Sequence, residues 1–134
     1  MNYWLLKTEP ETFSFDDLLR KKIEPWDGVR NYQARNNIAA MLPGDSCLIY
    51  HSVSEKAIVG IATVASHPYP DPTTNDTRWL CIDIEAVRKL DTPITLEVIK
   101  ETPQLSTMPL IKHTRLSVMP IDVDCYEYIL KISK

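Results

Sequence analysis

The β-rich runs of this chain are short, and they do not alternate regularly with helical segments. Strand-like residues fall at 3–6, 46–51, 58–65 and 79–87, with shorter late runs at 110–111 and 115–118. Helix starts lie between them. Ser14 can cap a helix that ends near Lys22, ahead of Pro25, with Asp17 at its third position. Asn31 can cap residues 32–41, in which Ala34, Ile38 and Met41 make an apolar stripe. Asp122 can cap a closing helix over 123–131. Thr95 can cap LEVIKE, although its Thr, Val and Ile residues also suit a strand. Such an order lacks the repeating βαβ unit. It predicts an α+β fold, a small curled sheet or barrel of about five or six mainly antiparallel strands flanked by short helices. With 134 residues, the chain is read as one domain, 1–134.

Ten prolines against three glycines mean that proline and Asx residues set most of the turns. Three prolines make residues 66–77 a loop, and Asp71 between two of them suits a rigid Asx turn. No apolar run approaches the roughly 18 residues of a membrane span, so no membrane partner is expected. Cys47, Cys81 and Cys125 are far apart, in apolar surroundings, and show no zinc-site spacing. They are read as reduced thiols of a cytoplasmic protein. A formal charge of -3 argues against a broad, non-specific grip on phosphate backbone.

The densest stretch is WDGVRNYQARNNI, residues 26–38. It is too polar for a core and too aromatic for an ordinary surface. It reads as the wall of a site for something flat and polar, with a nucleobase as first candidate. Trp26 is either a stacking plate or a core lid, and Tyr32 is a second plate or ordinary packing. The carboxamides of Gln33 and Asn37 could match a Watson–Crick edge, since each offers donor and acceptor. Asn31 has a competing role as the helix cap. Arg30 and Arg35 could grip phosphates, or pair with acids such as Asp27. On the run LIYHS, Tyr50 and Ser52 share one strand face and His51 takes the other.

Catalysis finds little support. His51 beside Ser52 is not a triad, because strand neighbours face opposite ways. There is no GxSxG, P-loop or GxGxxG pattern. An enzyme acting on modified nucleosides and a small-ligand or protein-interaction module remain as alternatives. No metal or cofactor is implied.

Six motifs, in order, carry a resemblance: YWLLKTEP (3–10), WDGVRNYQARNNI (26–38), PGDSCLIYHS (43–52), IVGIATV (58–64), YPDPT (69–73) and RLSVMPI (115–121). Together they resemble the EVE domain family of the PUA-like superfamily. That resemblance implies a PUA-like barrel and recognition of DNA or RNA, in some members of a modified cytosine flipped into a pocket. By position it implies Thr8, Trp26, Asn31, Tyr32, Asn37, Tyr50, His51 and Ser52 at the base pocket. Lys7 and Arg115 would sit at its rim or just behind it, where Lys7 would meet the backbone. Read from the residues, Arg115, like Arg30 and Arg35, could meet the backbone, or it could pair with Glu9. Any enzyme served would be a separate chain. This chain departs from the family pattern at Thr8, where serine is common, and at TNDTR (74–78), where relatives often carry a longer insertion.

Overall fold

The computed structural model describes residues 1–134. In chain order the elements are β1 (Tyr3–Thr8), α1 (Phe15–Lys21), β2 (Ile23–Pro25), α2 (Tyr32–Ala39), β3 (Ser46–His51), β4 (Ala57–Val64), β5 (Tyr69–Pro70), β6 (Leu80–Cys81), β7 (Asp83–Thr95), α3 (Leu96–Glu101), a 3-10 turn (Pro103–Leu105), α4 (Pro109–Lys112), β8 (Val118–Ile121) and α5 (Val123–Ile132). The fold is α+β. Its main sheet has six strands in the order β2-β7-β4-β3-β1-β8, and β5 pairs with β6 apart from it. All pairs in the main sheet are antiparallel except β1 with β3.

The sheet curls for a local reason. Register shifts fall at Ile49/Tyr50 in the β3–β4 pair, and at Ile58/Gly60 and Ile61/Ala62 in the β4–β7 pair. Extra residues at such points bend a strand and tighten its twist. On the hollow side of the curl the Phe15 ring lies directly on Gly60, where a Cβ would stand 2.4 Å from Phe15 Cζ. Thirty-five buried apolar residues form one continuous core.

Capping defines the helices. Ser14 and Asp17 form the reciprocal capping box at α1. Asn31 Oδ1 accepts the Ala34 N–H at 2.9 Å, and Thr95 Oγ1 accepts the Val98 N–H at 3.2 Å. The segment LEVIKE is therefore a helix. Asp122 stands at the start of α5 without a side-chain capping bond.

Three expectations are corrected. Residues 110–111 lie in α4, not a strand, because Pro109 opens a helical turn there. The late strand is Val118–Ile121, further along than 115–118, and it tolerates Pro120 because β8 is an edge. Residues 79–87 are divided between the short β6 and the long β7.

Buried Asp45 fixes where β1 and β3 begin. Its carboxylate accepts Trp4 Nε1–H at 3.0 Å and the backbone N–H groups of Leu42 and Asn2. Beyond β1 the chain leaves the sheet through a turn held by Thr8 Oγ1, which donates to Phe13 O at 2.6 Å. It returns through β2, and Trp26 N–H donates to Ile82 O at 2.7 Å. The end of β1 and the turn after β2 line one hollow.

Candidate nucleic-acid interface

A hollow of about 460 Å³ opens between the end of β1, the Thr12–Phe13 turn and the Pro25–Arg30 turn. That volume lies in the usual range for a small-ligand site. Trp26 forms one wall. It is 9% exposed and its ring meets Phe13 edge-on, with centroids 6.1 Å apart and planes at 80°. The indole belongs to the buried core and also lines the hollow.

The Trp26 wall is held from across the sequence. Gly28, at φ 77°, turns the chain in the left-handed region, and its N–H donates to Asp71 Oδ2 at 2.8 Å. Arg30 Nη1 donates to the same oxygen at 2.9 Å, and Arg30 Nη2 to Thr73 Oγ1 at 3.1 Å. Asp71 Oδ1 accepts the Thr73 N–H and hydroxyl, which is the Asx turn expected of YPDPT. Burial alone would raise the Asp71 pKa. The donors from Thr73, Arg30 and Gly28 outweigh it and hold the carboxyl well below the usual carboxylate range.

Both signs of charge surround the opening. Lys7 and Arg30 face Glu9, Glu24 and Asp27. Lys7 Nζ donates to Thr114 O at 3.0 Å, and partial burial lowers its pKa. Asp27 moves the other way. Its pKa is raised by burial first, then by the negative charges of Asp71 and Glu24.

Of the residues expected at the base pocket, the structure brings only Thr8 and Trp26 to this hollow, with Lys7 and Arg30 beside them. Asn31 spends its side-chain oxygen on the α2 cap. Asn37 Nδ2 donates to Val118 O at 2.7 Å, joining α2 to β8. Tyr50 is buried in the core at 3% exposure, with Lys7 Nζ 6.0 Å from its ring centroid. His51 is also buried; its Nε2 accepts the Phe15 N–H at 3.0 Å and its Nδ1 meets Glu55. Ser52 Oγ turns back to Thr8 O at 3.3 Å. Tyr32 is 55% exposed on a different face, against Trp79 at 5.0 Å between centroids. Arg78 Nη1 donates to its hydroxyl at 2.6 Å. Arg35 Nε donates to Arg78 O at 2.7 Å, so Arg35 joins this patch. Arg30 lies 5.8 Å from the Trp79 ring and links patch to hollow. Arg115 is exposed and held by no ion pair.

The sequence did not single out Phe13, and it offered Asp27 only as a partner for arginine. Arg30 pairs instead with Asp71. The WDG turn carried a signal for Asp27, since the aspartate adjoins the tryptophan. Nothing local marked Phe13.

The fold and these motifs define a chain that belongs to the EVE domain family, whose family model matches residues 2–132. Thymocyte nuclear protein 1 of Mus musculus is 34% identical over 167 residues, covering 99% of this chain and 74% of the mouse protein. The mouse segment is thus longer than this chain, as expected for relatives that carry insertions. The NMR structure of Rpa0253 from Rhodopseudomonas palustris superposes with a TM-score of 0.95 at 41% identity, covering 99% of this chain and 93% of that one. The crystal structure of human THYN1 protein, solved in complex with 5-methylcytosine-containing DNA, superposes with a TM-score of 0.93 at 30% identity, covering 100% of this chain and 98% of that one.

The expectation of a cytoplasmic protein is corrected by these relatives, whose name places them in the nucleus. All three cysteines are free and buried. Nucleus and cytosol both keep thiols reduced, so cysteine usage does not separate the two. No helix is long and apolar enough to cross a membrane.

Proposed function

We propose that this chain, acting as a single domain over residues 1–134, reads nucleic acid by taking one modified, cytosine-like base into the hollow beside Trp26. One observation carries this reading. An accessible hollow with an aromatic wall lies in a fold that superposes on a protein solved with 5-methylcytosine-containing DNA. The base enters against Trp26, with Phe13 buttressing the indole from its edge. Thr8, held by its bond to Phe13 O, and nearby main chain shape the rim. Lys7 stands at the mouth for a flanking phosphate, while Arg30, committed to Asp71 and Thr73, braces the Trp26 turn. Outside it, Tyr32, Trp79, Arg35 and Arg78 offer a cationic, aromatic track for the strand, and Arg115 a further cation. With a net charge of -3, backbone affinity is weak and salt-sensitive, so binding is micromolar.

Direct binding tests this. Oligonucleotides carrying cytosine, 5-methylcytosine or 5-hydroxymethylcytosine are compared as single strands and duplexes of DNA and RNA. A modified cytosine in DNA binds most tightly, and Trp26→Ala weakens that binding roughly 5- to 150-fold, the value of one stack of about 1–3 kcal/mol. Equal affinity for every base, or a Trp26→Ala variant that binds as well as the parent, refutes the reading. Mass change in a modified nucleoside on incubation would favour an enzyme instead.

A further inference from the structure

Three carboxylates border the hollow, and they are not equivalent. Glu24 is engaged by Lys21 Nζ at 3.3 Å. Glu9 lies on the turn after β1; its carboxylate, like that of Asp27, has no side-chain partner, but it belongs to a different segment from Trp26. Asp27 adjoins Trp26 itself, and no ion pair or hydrogen bond from another side chain engages its carboxylate. The cation nearest in sequence, Arg30, is spent on Asp71, Thr73 and its neighbour's carbonyl at Val29. Only its own backbone N–H engages that carboxylate, so Asp27 keeps accepting capacity beside the stacking surface, in a place where a phosphate would be repelled.

We infer that Asp27 is the specificity residue of this site, accepting a hydrogen bond from the exocyclic 4-amino group of the bound base. This rests on the reader assignment made above. Cytosine and its 5-substituted forms donate from that position, and a carboxylate can only accept. Thymine carries the same 5-methyl group as 5-methylcytosine but presents a carbonyl oxygen at position 4. Against Asp27 that oxygen meets a second acceptor, so the contact at position 4 is lost. Asp27 thus separates 5-methylcytosine from thymine, the base that its hydrolytic deamination produces. The desolvation of Asp27 and the negative neighbours Asp71 and Glu24 make an incoming donor more valuable there.

Otherwise identical single-stranded DNA oligonucleotides with one central 5-methylcytosine or thymine provide the test, because the two bases differ only along the Watson–Crick edge. The parent chain prefers 5-methylcytosine roughly 5- to 150-fold, the range for one well-placed base-edge contact. Asp27→Asn relaxes this preference toward unity mainly by gaining thymine, because an amide can turn to accept from an amine or donate to a carbonyl. A role in folding alone would weaken both ligands together. Asp27→Asn that keeps the parent ratio, while Trp26→Ala weakens binding, overturns the role of Asp27 and leaves the reader intact. The role of Asp27 is likewise overturned if Glu9→Gln relaxes the ratio and Asp27→Asn does not. Should Trp26→Ala also leave both affinities unchanged, the reader assignment itself falls.

Discussion

The side chain of Asp71 accepts the Gly28 N–H at 2.8 Å, joining residues 43 apart in sequence. That bond fixes the turn that presents Trp26, and the same carboxylate orients Arg30. Asp71→Ala removes the anchor and leaves the Gly28 N–H without its partner. Unfolding in urea should show a loss of about 1–3 kcal/mol, less than for a fully buried ion pair because Arg30 is 40% exposed. Affinity for a modified oligonucleotide should fall with it in the folded fraction.

Asp71 also makes stability depend on acid. Its folded pKa lies below that of the unfolded chain, about 3.9 for aspartate. Above that value both states are ionised and the stabilisation is fully present. As pH falls below about 4 toward the folded value, it is lost. Denaturation at a series of pH values should show a steeper acid decline in the parent than in Asp71→Asn.

Asp27 predicts a second pH effect, on binding. Its pKa is raised by burial and by Asp71 and Glu24, against opposing contributions from its own backbone N–H and Arg30. Only the ionised carboxylate accepts the base amine without itself presenting a proton. Preference for 5-methylcytosine over thymine should therefore fade on acidification at a higher pH than an ordinary aspartate would give. A ratio unchanged down to the onset of unfolding would contradict this.

His51 completes α1. Its Nε2 takes the Phe15 N–H, one of the helix's orphan donors. His51→Ala should destabilise the fold by about 1–3 kcal/mol, the penalty for a buried donor left unpaired. Base preference should persist in the folded variant. Loss of preference without loss of stability would return His51 to the recognition site.

Gly60 is required by the Phe15 ring, which would meet a Cβ at 2.4 Å. Gly60→Ala should cost about 1–3 kcal/mol by overpacking. Thermal melting would record it, and pairing it with Phe15→Leu should recover part of the loss.

Much of the fold was legible because its signals are local. Ser14, Asn31 and Thr95 each cap the helix their neighbours predicted, since a capping bond spans only three residues. The late segments were misread because short apolar runs look alike. Leu110 and Ile111 follow a proline that starts a helix, while Pro120 sits in a strand only because that strand is an edge. The candidate site was legible in part. Trp26 was singled out, and it borders the hollow. Tyr32 and Asn37 were grouped with it by adjacency, but Gly28 turns the chain and α2 carries them to other faces. Phe13 and Asp71 reach the Trp26 turn from distant segments, and no local pattern encodes such meetings.

The parallel alignment of β1 and β3 has a kinetic consequence. Parallel neighbours require a long excursion between them, and here residues 9–45 supply it, carrying Trp26 and Gly28 on the way. Closing so wide a circuit is a late event for a collapsing polypeptide, because its entropy is lost before any contact is gained. Hairpins such as β3–β4 can zip earlier from their short turn. During refolding, then, the capacity to capture a ligand should emerge after most of the backbone has found its partners.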